Sequence, residues 1–260
     1  MNRKIIFSII IVFLSGLFIH NNVIAQINRP FGACYQAAFS GCSNCSDSTI
    51  ESKTFQYAGC NVTVTYKKMT CNCPQPTTFV DIEYMRLDRS NSFCENLMCN
   101  LYPNPNIPTP PCPYDPSHIN LNEYKELARA MYDNLVFALF QEVQNNYLCP
   151  NNYFTYKVYW PASCNAVCQI TLVEKPDLIL ITKPCNAELC CGLTYKFCYN
   201  GHNSWNSIVE QIGYGQNICY LPWGTNCDYQ AGDEIILPDG NFHVLNATIS
   251  DCTAFCDNPQ

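Results

Sequence analysis

The twenty cysteines of this 260-residue chain constrain it most, and none precedes Cys34. Ahead of them stand a basic start, Met1-Asn2-Arg3-Lys4, an apolar run from Ile5 to Ile19, and the small residue Ala25 just before Gln26. That is the pattern of a secretory signal peptide. The run falls short of the roughly 20 residues needed to span hydrocarbon, so residues 1–25 are expected to leave and residues 26–260 to form one mature domain, secreted or held in the periplasm or at the cell surface, with no transmembrane segment. In such an oxidising compartment an even number of cysteines predicts disulfides. The bonded set is Cys34, Cys42, Cys45, Cys60, Cys71, Cys73, Cys94, Cys99, Cys112, Cys149, Cys164, Cys168, Cys185, Cys190, Cys191, Cys198, Cys219, Cys227, Cys252 and Cys256. Spacing alone leaves the connectivity open. On a strand, Cys71 and Cys73 face one side and Cys190 and Cys191 opposite sides, so each is expected to bond to a different element.

The cysteines are not a substitute for a core, because a chain of this length buries one of its own. Only 13% of the residues are charged and the net charge is −7, against about 25% charged in ordinary soluble domains. The acidic balance weighs against nucleic acid and anionic membranes. Asn, Thr, Ser and Tyr take over the polar surface, which suits an extracellular or cell-surface ligand.

Alternation with period two predicts strands at 61–66 and 79–87, the second with Val80, Ile82 and Tyr84 on one side and Asp81 and Glu83 on the other, solvated side. Cys71 to Pro76 reads as a turn and the proline-rich segment 94–116 as a tethered loop. Asn120 caps a helix running to about Asn146, with Glu123 placed for a capping box and Leu121, Tyr124, Leu127, Ala128, Met131, Leu135, Leu139 and Val143 in one apolar stripe. Further strands are expected at 153–160, 168–174, 178–183, 193–199, 218–221, 234–237 and 242–249, the last two joined by an Asp239-Gly240 hairpin. Thr-Tyr-Lys recurs at 65–67, 155–157 and 194–196, which raises an internal repeat. The fold class expected is disulfide-stapled α+β, with short, mostly antiparallel strands before and after one long helix.

The signal ending Ala25-Gln26, the segment Tyr159 to Gln169 (YWPASCNAVCQ) and the segment Cys190 to Tyr199 (CCGLTYKFCY) resemble cysteine-rich proteins exported by Bacteroidota. That resemblance implies a source and a compartment. It implies no activity and no site residues.

Few residues invite chemistry. Cys42-Ser43-Asn44-Cys45 has the spacing of a redox dithiol or half a zinc site, but neither setting surrounds it and disulfides are the simpler reading. His118, His202 and His243 are the histidines left after the signal, and none sits in a metalloprotease or serine-elbow motif. A hydrolase would have to assemble His202 or His243 with Ser204 or a distant carboxylate. Asp228, Asp233, Asp239 and Asn241 gather oxygen donors without an EF-hand spacing. No cofactor or metal is expected. Trp160, Trp205 and Trp223, beside turns rich in Asn and Thr, are the candidate binding residues, since a glycan site stacks sugars on aromatic rings and reads hydroxyls with amides. The function expected is a non-enzymatic exported module that binds or builds glycan, cell-surface protein or matrix, with a secreted hydrolase as the rival. Full oxidation predicts that reducing the mature protein raises its intact mass by twenty hydrogens, and that thiol titration of the unreduced, unfolded protein reads near zero.

Overall fold

The structure, a computed structural model, describes residues 31–103, 118–186, 190–213, 219 and 222–256, and the backbone of 24–26. The apolar run of the expected signal, the prolines between 104 and 117, and most of the strand expected at 218–221 lie outside them. The expectation of two β portions joined by a helix is overturned. Strands from before and after the helix hydrogen-bond into a single mixed sheet of twelve strands.

In chain order the elements are β1 (Ile24–Gln26), α1 (Ala33–Phe39), β2 (Thr49–Tyr57), β3 (Cys60–Cys73), β4 (Gln75–Asp88), α2 (Glu95–Leu101), α3 (Leu121–Val143), β5 (Phe154–Tyr159), β6 (Cys164–Leu172), β7 (Asp177–Asn186), β8 (Cys191–Gly201), β9 (Ser204–Gly213), β10 (Glu234–Leu237), β11 (Gly240–Ile249) and β12 (Thr253–Ala254). Two strands are long, β3 and β4 having 14 residues each. The segment read as a turn at 71–76 is mostly their paired ends, with Asn72 opposite Pro76. The segment read as a proline-rich loop opens with α2. The Asp239-Gly240 step does close a hairpin, Leu237 pairing with Gly240.

β4 organises the sheet. Along one edge it pairs with β3 over its whole length. Along the other it pairs first with β5, parallel, at Thr77–Phe79, and then with β7, antiparallel, at Met85–Asp88. Parallel neighbours need a crossover connection, and α2 and α3 supply it between β4 and β5. The long helix is therefore the arm of a βαβ unit lying on one face of the sheet. Asn120 caps it as expected, its side chain accepting hydrogen bonds from the Asn122 and Glu123 N–H groups. Its buried band is wider than the expected stripe, adding Tyr132, Val136 and Phe140 to Tyr124, Leu127, Met131, Leu135 and Leu139. The three Thr-Tyr-Lys tripeptides share this core. Tyr156 pairs with Tyr195 across β5 and β8, and Tyr66, Tyr156 and Tyr195 are all buried under α3. Gly192 lets β8 approach β5, because a Cβ there would stand 2.1 Å from the Val158 carbonyl oxygen.

Strict alternation fails at Glu83. Thr65 faces Tyr84 and Tyr66 faces Ile82, which leaves Glu83 as the extra residue of a β-bulge and reverses the parity of the strand after it. Val80 and Ile82, then Met85 and Leu87, consequently face the helix, while Tyr84 turns to the opposite core. That opposite face is not solvated. Asp81 is 4% exposed and Glu83 0%, and the Lys67 ammonium lies 3.4 Å from Glu83 and over the Phe31 ring. α1 and Phe31 just before it cover this face, Tyr35 and Phe39 packing against Tyr159 and Phe79.

Between Val80 and Tyr84 the sheet forks, since β5 has left β4 and β7 has not yet joined. Two tyrosine hydroxyls enter the fork from opposite faces. Tyr35 of α1 donates to the Val80 carbonyl (2.5 Å) and accepts from the Tyr159 N–H (2.9 Å); Tyr132 of α3 accepts from the Ile82 N–H (3.0 Å). Burial, with help from Asp81 and Tyr132 nearby, pushes the Tyr35 phenol well above its ordinary pKa, so it stays a neutral donor.

Nine disulfides tie the described residues together. Cys34–Cys190 joins α1 to the start of β8; Cys42–Cys73 and Cys45–Cys71 close the segment after α1 onto the end of β3. Cys60–Cys94 and Cys149–Cys198 anchor the two ends of the crossover. Cys164–Cys219, Cys168–Cys227, Cys185–Cys252 and Cys191–Cys256 hold the C-terminal segment to β6, β7 and β8. Cys99 is also disulfide-bonded, and Cys112 lies outside the described residues. Cys190 and Cys191 bond to different elements, α1 and the C-terminal segment. Cys71 and Cys73, expected to do the same, both bond to the segment after α1, because neighbouring same-side positions on β3 face one covering segment. Tyr35→Phe removes the hydroxyl that closes the fork and leaves a buried N–H and C=O without partners, at a cost of about 1–3 kcal/mol. Denaturant melts with the disulfides intact measure it, and a melt equal to wild type would deny the hydroxyl that role.

Candidate functional site

Among the described residues, three surface clefts with polar side chains differ in their chemistry. The first, about 480 Å³, lies where β3, β4 and β7 meet and includes Arg86, Asp88, Lys175 and Asp177. Its charges are already spent on one another. Arg86 is 2.8 Å from Asp239 and 3.5 Å from Asp177, and Lys175 is 2.6 Å from Asp239. Burial would raise the Asp239 carboxyl, but hydrogen bonds from Arg86 and Lys175 outweigh it and hold the group at about 2. Burial leads at Asp177, whose carboxyl is raised. This lattice locks the β10–β11 hairpin to β4 and β7.

The second cleft, about 500 Å³, includes Asp228, Tyr229, Asp233 and Asn246. Its acids are also engaged: Asp228 accepts from Lys183 at 2.7 Å, and Asp233 from the Gln230 N–H at 2.8 Å. The oxygen donors that the sequence groups with Asp239 and Asn241 are dispersed, because Asp239 turns to Arg86. Among the described residues no group of three or more His, Cys, Asp or Glu side chains is placed to hold a metal ion, and Cys42 and Cys45 are consumed in separate disulfides.

The third cleft, about 420 Å³, is built by residues 144–153 over the starts of β4 and β5 and the middle of β8 and β9. Tyr147 and Tyr153 supply rings, Gln75, Asn151 and Asn152 supply amides, and Lys196 and Ile208 close the side. Its frame is rigid for local reasons. Cys149–Cys198 staples the segment to β8. The Tyr199 N–H donates to the Tyr147 carbonyl (2.8 Å) and the Cys149 N–H to the Tyr199 carbonyl (3.0 Å). Asn152 donates to the Asn146 carbonyl (2.8 Å), and the Tyr147 ring packs edge-on against Phe154 with centroids 4.6 Å apart. Burial raises the Tyr147 phenol above its ordinary pKa. Lys196 is balanced by Glu210 at 3.1 Å. What results is a nearly neutral groove with aromatic faces and three amides, of which Asn152 is held by its hydrogen bond. It is chemically able to stack a sugar ring and hydrogen-bond its hydroxyls, and it presents no nucleophile and base in contact.

The three tryptophans are not brought together. Trp160 is 4% exposed, enclosed by Tyr132 and Phe255. Trp205 is half-buried against Phe137, and its indole N–H donates to the Gln144 side chain at 2.6 Å, so it braces the segment that builds the third cleft. Trp223 alone is fully exposed, at 101%. The tyrosines of the cleft escaped the sequence reading because seventeen tyrosines offer no means of telling a surface ring from a core one. The only available signal was the run Asn145-Asn146-Tyr147 and Asn151-Asn152-Tyr153 around a cysteine.

Neither His202 nor His243 meets a serine side chain among the described residues. His202 sits in the β8–β9 turn with φ 51°, and its side chain makes no hydrogen bond among the described residues. His243 pairs with Glu174 at 2.5 Å, both exposed. Compared with known protein families, curated proteins and solved structures, the chain matches none.

The His243–Glu174 pair has a pH signature. The hydrogen bond and charge of Glu174 raise the imidazole pKa, and the same bond lowers the carboxyl. A raised histidine pKa means that this contact is present at lower pH and is lost as pH rises through the raised value; it is lost again when pH falls through the lowered carboxyl value. An NMR titration should place His243 above its ordinary value of about 6.5, and Glu174→Gln should bring it back down. No change on that substitution would mean that the pair does not form in solution.

Proposed function

We propose that this protein is an exported, disulfide-stapled binding module that holds a neutral glycan in the groove of Tyr147, Asn151, Asn152 and Tyr153. The nine disulfides are compatible with an extracellular module of this kind, and no helix among the described residues is long and apolar enough to cross a membrane. The observation that carries the ligand class is the pairing of two partly exposed rings with two amides on a segment fixed by Cys149–Cys198, and with a third amide, Gln75, at the start of β4. Sugars bind on rigid aromatic surfaces because the ring supplies area without loss of side-chain freedom, and the amides read hydroxyls in both donor and acceptor roles. A charged ligand fits less well, since Lys196 is already paired and the charged cleft around Arg86 is internally neutral.

Immobilised neutral oligosaccharides, followed by calorimetry with any that bind, test the reading. Tyr153→Ala should weaken binding about tenfold, the scale of one lost aromatic face, while Trp223→Ala should leave it unchanged. Loss of binding on Trp223→Ala would move the site, and turnover of the bound sugar would replace the binding module with a hydrolase.

A further inference from the structure

The sheet ends at β9, whose far edge has no partner strand among the described residues. β9 is unlike the other free edges. β1 has three residues and β12 two, and β2 carries Glu51 and Lys53, each in an ion pair. β9 has 10 residues, most of them exposed, with neither the lysine nor the proline that usually blunts an edge. Its centre is apolar on both faces: Ile208 is 42% and Val209 46% exposed. The one charge on it, Glu210, is tied back to Lys196 on β8.

We infer that β9 is where two copies of this chain join, edge to edge and antiparallel, extending the sheet through a two-fold axis. Symmetry restricts the registers to those centred on a residue, and charge and apolar matching near the apolar centre choose among them. An axis normal to the sheet keeps each face on the same side, so residues that meet must share strand parity. Centring on Glu210 opposes two carboxylates, and centring on Val209 sets Ile208 against Glu210. Centring on Ile208 sets Ile208 against Ile208, Val209 against Ser207, and Asn206 against Glu210 of the second copy. In that register each carboxylate meets an amide. The Asn206 side-chain oxygen already accepts from Asn200 at 3.0 Å, which leaves its N–H groups as donors for the incoming carboxylate.

The occupant is a second copy because β9 complements itself in charge, apolar centre and parity. Main-chain pairing along a short edge is weak compared with a broad interface. The expected state is a dimer in the micromolar range. Ile208 also lines the tyrosine and amide groove, so pairing on it sets two grooves beside the axis on one face; this consequence rests on the glycan reading, whereas the dimer does not.

Sedimentation equilibrium of the mature, oxidised protein tests the inference. Twice the monomer mass is expected at about 100 µM, with dissociation on dilution into the low micromolar range. Ile208→Lys sets two ammonium groups opposite one another and should weaken the dimer about tenfold or more. Asn206→Asp, nearly unchanged in size, places carboxylate against carboxylate and should weaken it severalfold. Ile50→Lys, at 39% exposure on β2, should leave it intact. Tyr153→Ala should also leave the mass unchanged, so failure of the glycan reading and failure of the dimer are seen separately. A wild-type monomer at about 100 µM, or a dimer that survives Ile208→Lys, would overturn the proposal.

Discussion

Everything in the fold is arranged around the fork in β4. A strand that pairs with β5 over its first half and β7 over its second leaves the backbone between them without ladder partners, and buried amides without partners are costly. The hydroxyls of Tyr35 and Tyr132 close that gap from the two faces of the sheet. α1 and α3 are thereby fixed to the same few residues of β4. The bulge at Glu83 falls inside the fork. It swaps which face each following side chain serves, so that one strand feeds the core under α3 on both sides of the bulge, with Val80 and Ile82 before it and Met85 and Leu87 after it, and still sends Tyr84 to the core on the other side.

Burying Lys67, Asp81 and Glu83 under a seven-residue helix is costly unless they are held together. The disulfides explain how so small a cover is kept in place. Cys34–Cys190 pins α1 to the start of β8, and Cys42–Cys73 and Cys45–Cys71 pin the segment after it to the end of β3. In the chain-entropy account such links act by restricting the unfolded state, and the 156-residue separation of Cys34 and Cys190 is the longest of them. The same device fixes the groove. Cys149–Cys198 and the Trp205–Gln144 hydrogen bond hold residues 144–153 in one shape, and that shape turns scattered tyrosines and asparagines into a binding surface.

Local patterns announced the parts that local physics controls. The Asn120 cap, the apolar band of α3, the Asp239-Gly240 hairpin and most strands after the helix are set by nearest-neighbour chemistry and could be read in order along the chain. β9 gave little signal, because a strand largely exposed on both faces needs no alternation; β2 gave little because its inward face carries Glu51 and Lys53 before Phe55 and Tyr57. The α+β reading failed for a related reason. Period-two patterns say that a strand has faces and do not say which strand lies beside it, and here β4 pairs with strands separated from it by the whole crossover.

From the sequence alone came the disulfide framework as a class, the low charge, and the helix with its cap, all properties of single residues or of neighbours along the chain. Tertiary structure decided that one mixed sheet forms instead of two, that Asp81 and Glu83 are buried, that Trp160 is core and Trp205 a brace, and that Tyr147 and Tyr153 share a groove. Those outcomes depend on pairings between distant segments and on a single bulge that reverses strand parity. Neither leaves a trace in the order of residues, because each is a choice among contacts of nearly equal local energy that only the assembled sheet can resolve.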